Sequence, residues 1–360
     1  MKVLAIIQCS YLGGMEKVTL DSLSLLKEKG HEVRLFSLHP VGDLIWLTNQ
    51  QGIQLDGTKA YKLYGLGNIP EILRAICQFQ PDRIWLIGHN FGSLVAAKLS
   101  GRPTSLSLHY HHTERPMRFL KLFYYAVKLW CSRIHFVSRY IYIEVAHLFK
   151  NSDRIICYPN MLRVTETPIL KSIAQEKLGL PADAFVIGNA GELIERKAFD
   201  VFLKTAAIVR QKIPNAVFVI AGDGSEREKL ERLAESLGLS NAVWFLGWQT
   251  DVEPFYAALD LLLFNSNFDC LPTTPLEAMV REIPVVCSLT HGGLKEVFRH
   301  GKDGFLLDSH DCGALANEII RLYNNPAERA EIAKTGRLRV KDVCSPEKHL
   351  MNLNNLLQLT

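Results

Sequence analysis

Residues 3–36, VLAIIQCSYLGGMEKVTLDSLSLLKEKGHEVRLF, decide how the rest of the chain is read. The run 3–7 is apolar, partly β-branched and too short for a helix, so it reads as a buried strand. Gly13-Gly14 breaks the pattern, and residues 17–29 then carry apolar positions at helical spacing. A second strand-like run occupies 32–36. Strand, turn, amphipathic helix and strand make one βαβ unit, which requires a parallel sheet. The unit repeats outward. Runs at 84–87, 105–108 and 134–137 read as further strands, with residues 70–79 as an intervening helix. The alternation pauses over 159–181, where Pro, Thr and Lys interrupt the periodicity. It resumes with strand-like runs at 185–189, 217–221, 243–246, 261–264 and 285–287. The expected fold is α/β, with two Rossmann-like halves whose parallel sheets face a central cleft. Residues 1–160 form the first domain, 161–182 a linker and 183–340 the second domain. Residues 341–360 are expected as a helix packed across the junction, because the apolar stretch 350–359 has helical spacing and no following strand.

The bulk numbers agree with two domains. The chain has 360 residues, 48% hydrophobic and 22% charged, enough apolar material for two cores and too little charge for disorder. A net charge of +4 with no basic block argues against a nucleic-acid partner. The eight cysteines form no C-x-x-C pair and none sits at zinc-finger spacing to a histidine. Most have apolar neighbours, as buried thiols in a reducing compartment do. The apolar run after Met1-Lys2 is short and lacks a small-residue cleavage site, so a first strand is preferred to a signal peptide. No uninterrupted apolar run reaches the roughly 18 residues that span a bilayer. A cytoplasmic protein, soluble or peripheral at the cytoplasmic membrane face, is expected.

In open parallel sheets ligands sit beyond the carboxyl ends of the strands. Gly13-Gly14-Met15-Glu16 lies there, after the first strand and at the start of a helix. Its backbone N–H groups can approach an anionic ligand closely, or the pair can simply make a tight turn. No G-x-G-x-x-G follows, which speaks against a dinucleotide oxidoreductase. A second stretch runs DCLPTTPLEAM from Asp269 to Met279, after the run 261–264 and a small polar turn, Asn265-Ser266-Asn267. Pro275 suits a first helical turn, because its missing N–H has no partner to lose there. Unpaired N–H groups near Thr273 and Thr274 would seat a diphosphate. Glu277 would face the same mouth, where a carboxylate can accept from the paired hydroxyls of a ribose. The plainer alternative makes Asp269 a loop cap and Glu277 a favourable charge near a helix N-terminus.

This stretch resembles the acidic E-x7-E signature of the retaining glycosyltransferases of family 4, which have the GT-B fold. GGMEKVTLDSLSLLKEKGHEV, AGDGSEREKLERLAESLGL, VWFLGWQTDVEPFY and GGLKEVFRHGKDGFLL are similar to family segments in the same order along the whole chain. The resemblance implies that Glu277 holds the donor ribose and that Asp269 contacts the transferred sugar. Asp269 is one methylene shorter than the usual glutamate. Lys197 matches the lysine that neutralises the diphosphate, and His109 a histidine near donor sugar and acceptor. Gly13 and Gly14 match the glycine loop under the donor. The resemblance implies no metal and no cofactor, and no protein nucleophile. The leaving phosphate is expected to help deprotonate the acceptor. The partners it implies are a UDP- or GDP-sugar donor and a glycan or lipid-linked acceptor, as in cell-surface polysaccharide or glycolipid synthesis.

Two departures stand out. Glu192 occupies the place where the family usually has arginine, which exchanges an attraction for a repulsion of about a few kcal/mol at an effective dielectric near 20. Arg196 stands beside Lys197 and can supply positive charge, or be an ordinary solvated residue. Met161 replaces a common glycine after Pro159-Asn160. In HYHH, His111 and His112 accompany His109 without acidic or cysteine partners, which favours cleft lining over a metal site. Residues 115–133, RPMRFLKLFYYAVKLWCSR, mix basic and aromatic side chains as an interfacial membrane helix does, and as a crossover helix against the sheet also does. A non-catalytic sugar-nucleotide-binding scaffold on the same fold is the alternative that Glu192 favours. A sugar-nucleotide epimerase would need an acid/base constellation not found in the sequence.

Overall fold

A computed structural model describes residues 1–8, 13–40, 42–58, 66–109, 117–149, 152–163, 169–307 and 310–359. The chain divides into two compact units, Met1–Arg163 with Cys344–Thr360, and Val164–Val343.

The first unit holds strands β1 (Lys2–Ile7), β2 (Glu32–Ser37), β3 (Gln54–Gly57), β4 (Arg83–Ile87), β5 (Thr104–Leu108), β6 (Arg133–Phe136) and β7 (Ile155–Cys157). They pair in parallel in the order β3-β2-β1-β4-β5-β6-β7. The direction of growth reverses between β1 and β4, so the crevice beyond those strands is this sheet's switch point. β1 and β5 are buried on both faces, as helices on either side of a parallel sheet require. β3 and β7, not expected from the sequence, are short and lie at the two sheet edges.

The chain returns to this unit at Cys344. The helix Pro346–Leu357 packs against β4, β5, β6 and the helix Gly14–Glu28. Its Leu353, Leu356 and Leu357 are fully buried with Val3, Ala5 and Ile7 of β1. Burial on that scale contributes roughly 1.5–3 kcal/mol per leucine, so this helix is part of the first core. Residues 341–343 instead finish the helix Pro326–Val343 of the second unit.

The second unit holds β8 (Phe185–Ala190), β9 (Ala216–Ala221), β10 (Val243–Gly247), β11 (Leu261–Asp269), β12 (Val285–Gly292) and β13 (Phe305–Leu307). All pair in parallel in the order β10-β9-β8-β11-β12-β13, with the switch point between β8 and β11. Two readings of the sequence are corrected here. Asn265-Ser266-Asn267 is no turn, because β11 continues to Asp269 and stays paired with β12 through Asp269 and Gly292. Residues 171–177, read as linker, form a helix whose Ala174 and Gln175 are buried and whose Lys171 Nζ lies 2.5 Å from Asp260 Oδ2. Seven residues make too few turns for a 3.6 period to stand out from coil.

Candidate functional site

The rim of the second sheet is held together at its switch point by backbone. The Gly191 amide donates to Ala221 O at 3.0 Å and the Gly222 amide to Gly247 O at 2.8 Å, tying the ends of β8, β9 and β10. A Cβ on Gly222 (φ +145°) would lie 1.9 Å from Gly191 O, and one on Gly292 (φ +157°) 2.0 Å from Asp269 O. Only glycine permits these two approaches.

Across the crevice, the helix Thr273–Val280 starts directly after β11 with Pro275 in its first turn. The Thr274 hydroxyl donates to Ala190 O at 3.1 Å, bridging the two switch-point strands. Thr273 and Thr274 are half-buried at the helix N-terminus, where backbone N–H groups lack intrahelical partners. Lys197, in a single 3-10 turn after β8, places Nζ 2.5 Å from Asp269 Oδ2. Both side chains are mostly buried, at 17% and 15% exposure. Arg196 lies 3.7 Å from the same carboxylate oxygen and donates to Phe268 O at 2.8 Å. The two cations and Asp269 thus form one cluster at the end of β11. Glu192 follows Gly191 on the same rim and is exposed.

Glu277 sits in the second turn of that helix, where its Oε2 accepts a 2.8 Å hydrogen bond from the Tyr256 hydroxyl. Tyr256 is buried, and burial together with the Glu277 carboxylate pushes its phenol well above the ordinary range. Arg281 covers its ring at 4.5 Å, donates to Glu277 O at 2.8 Å and pairs with Glu253. Sequence reasoning missed Tyr256, Arg281 and Glu253. They lie on neighbouring helices, and no local pattern marks residues 21 positions apart as partners.

In the first unit, Gly13 caps the helix Gly14–Glu28, and its amide donates to Glu16 Oε2 at 3.0 Å. This N–H is therefore engaged locally, and burial raises the Glu16 carboxyl. His109 follows β5. The residue as a whole is only partly buried, but both its ring nitrogens are sealed and have no hydrogen-bond partner among the described residues. Burial, with a contribution from His349, lowers His109 to about 4, so the imidazole is neutral near pH 7. His135 lies edge-on to it at 5.8 Å, bonds Ser107 Oγ at 3.1 Å and Tyr158 O at 2.9 Å, and stacks on Tyr158. His349, on the C-terminal helix, bonds Ser22 Oγ at 2.8 Å and meets Tyr158 edge-on. These three buried histidines were not recognised as a group because they are far apart in sequence. His111, His112 and Arg115 lie outside the described residues.

The helix Met117–Trp130 buries Leu120, Phe123, Tyr124 and Val127 against its unit, and Leu122, Tyr125 and Leu129 are more than half exposed. Among the described residues, no helix is long and apolar enough to cross a membrane and no cluster of three His, Cys, Asp or Glu could hold a metal. Cys131, Cys270, Cys287 and Cys344 are buried as expected, and Cys77 is exposed.

Residues 12–165 match the family described as Glycosyltransferase Family 4, and residues 171–339 match Glycosyl transferases group 1. The chain belongs to the family 4 glycosyltransferases. The lipopolysaccharide core biosynthesis glycosyltransferase LpsE of Rhizobium meliloti (strain 1021) is 31% identical over 205 residues, 52% of this chain and 59% of that protein. LpsD of the same organism is 34% identical over 164 residues, 46% of each. The chain spans about half the length of the curated relatives it matches. Among solved structures, Anabaena Alr3699/HepE in complex with UDP and glucose superposes with a TM-score of 0.86 at 20% identity, covering all of both chains. Staphylococcus aureus TarM superposes with a TM-score of 0.81 at 13% identity, covering 99% of this chain and 98% of that one. These likenesses carry the fold, GT-B, for both parallel-sheet units.

Proposed function

We propose that this family 4 member is a retaining glycosyltransferase that moves a hexose-type sugar from a UDP-sugar to a glycan or lipid-linked acceptor in cell-surface polysaccharide or glycolipid synthesis. The observation that carries the reading is the switch point of the second unit. There Lys197, Arg196 and Asp269 form one cluster, and the helix that starts beside it carries a braced Glu277 in its second turn. A diphosphate would take the N–H groups before Thr274 and the Lys197 ammonium. Its ribose would take Glu277. The C1–O bond to the β-phosphate breaks as an acceptor oxygen bonds C1 on the same face, and a leaving phosphate oxygen takes the acceptor's proton. Asp269, held by Lys197, orients sugar hydroxyls and does not attack. Neutral His109 is kept in the reading by its match to the family histidine alone, because both its ring nitrogens are sealed.

UDP is favoured because HepE was crystallised with UDP and glucose. The lipopolysaccharide-core names of LpsE and LpsD favour a cell-surface acceptor. Peripheral membrane contact at the cytoplasmic face runs through Leu122, Tyr125 and Leu129, with Lys121 beside them.

The test is a thermal-shift screen against UDP-, GDP- and ADP-sugars, followed by NMR of the product anomer. A UDP-sugar should raise Tm, Glu277→Ala should abolish the rise, and Lys197→Ala should lower kcat about 100-fold with a smaller change in KM. An inverted anomer would overturn the retaining assignment. A shift with a donor but no transfer product would favour the non-catalytic sugar-nucleotide-binding scaffold, with Glu192 as the lesion, and no shift with any donor would overturn the donor site itself.

A further inference from the structure

We infer that Tyr256 is a positioning residue that holds the Glu277 carboxylate in the orientation that reads a ribose diol, and so sets the preference for ribonucleotide over deoxynucleotide donors. The inference rests on the proposed role of Glu277. The hydroxyl of Tyr256 donates to Glu277 Oε2 at 2.8 Å. The phenol has no freedom to turn away. It is 2% exposed, its ring meets Phe255 edge-on at 5.1 Å, and the Arg281 guanidinium lies over the ring, 4.5 Å from its centre. Arg281 is itself fixed, by Glu253 and by the carbonyl of Glu277. Tyr256 and Glu253 share the helix Glu253–Ala258, and Glu277 and Arg281 lie at the second turn and C-cap of the helix Thr273–Val280. Two helices are therefore clamped together around one carboxylate.

The chemistry follows from lone pairs. An ionised carboxylate has about four acceptor positions. Tyr256 occupies one on Oε2, which leaves Oε1 and the second position on Oε2 for a pair of vicinal hydroxyls. Burial keeps the phenol protonated, so it is always a donor here. A free glutamate side chain would lose rotamer freedom on binding ribose, and Tyr256 removes that cost beforehand. The consequence is specific. Contacts of the phosphates and base gain nothing from Tyr256, whereas contacts of the 2′- and 3′-hydroxyls do.

The experiment measures Kd by calorimetry for UDP and for 2′,3′-dideoxy-UDP in four forms of the full chain: unaltered, Tyr256→Phe, Glu277→Ala and the double variant. Phenylalanine keeps the ring under Arg281, and circular dichroism with Tm checks that each variant is folded. Tyr256→Phe should weaken UDP about tenfold and dideoxy-UDP less than twofold. On the Glu277→Ala background it should have no further effect. With a donor sugar, KM should rise by the same factor and kcat change less than twofold. Equal weakening of both nucleotides, or additive effects in the double variant, would make Tyr256 merely structural and overturn the inference. If Glu277→Ala weakens UDP and Tyr256→Phe does not, the inference fails and the role of Glu277 stands. If Glu277→Ala leaves UDP binding unchanged, the ribose assignment itself falls, and the inference with it.

Discussion

Acidification should unfasten the first unit through its buried histidines. His109 and His349 are each lowered from 6.5 to about 4, chiefly by burial, and His135 is lowered further in the same direction. The groups around them are neutral: Ser22, Ser107, Tyr158, and Trp85, whose Nε1 donates to Ser107 Oγ at 2.8 Å. Folded values below the unfolded one mean that the unfolded chain binds more protons. Their contribution to stability is therefore complete above pH 6.5 and is lost as pH falls toward 4. For a shift of this size, linkage costs about 2 kcal/mol per histidine between pH 7 and pH 5, or about 4 kcal/mol for the two. That is a large part of a stability of roughly 5–15 kcal/mol. His349→Gln keeps a polar partner for Ser22 and removes one titration. Urea denaturation followed by tryptophan fluorescence should show its unfolding free energy falling about 2 kcal/mol less over this range than that of the unaltered chain. Hydrogen exchange of the Thr104–Leu108 amides assigns the effect to the first unit. Parallel curves for the two proteins would refute the reasoning, because His349 would then titrate alike in both states.

Two further outcomes are expected. Gly292→Ala places a Cβ about 2 Å from Asp269 O, so it should cost about 3 kcal/mol or more and lower Tm, and a variant with unchanged Tm would mean that the rim relaxes freely. Leu122→Glu with Leu129→Glu should reduce cosedimentation with anionic phosphatidylglycerol vesicles more than tenfold, and equal sedimentation of both proteins would remove that helix from the membrane contact.

Much of the fold was legible because parallel strands covered on both faces tend to be continuously apolar, and the runs at 84–87, 217–221 and 261–264 are. Three of the four edge strands among the described residues were not. Gln54–Gly57 is polar, and Ile155–Cys157 and Phe305–Leu307 are three residues each, so backbone pairing with a neighbour defines them and side-chain pattern does not. The same holds for the far end of β11. Asn265, Ser266 and Asn267 look like a turn, yet their backbones stay in the ladder with β12 or continue it, and that carries Asp269 to the rim.

At the candidate site, local chemistry selected Asp269, Thr274 and Glu277, because a helix start after a strand and its nearby charges are encoded in adjacent residues, whereas Lys197 came from the family resemblance. The sequence by itself could not pair them. That Lys197 meets Asp269 across 72 positions, that Tyr256 braces Glu277, and that His349 joins Ser22 across 327 positions depends on which strands and helices become neighbours. A short-range pattern specifies how a segment folds on itself. Which side chains then touch is decided by sheet order and helix packing, and those minimise free energy over the whole unit at once.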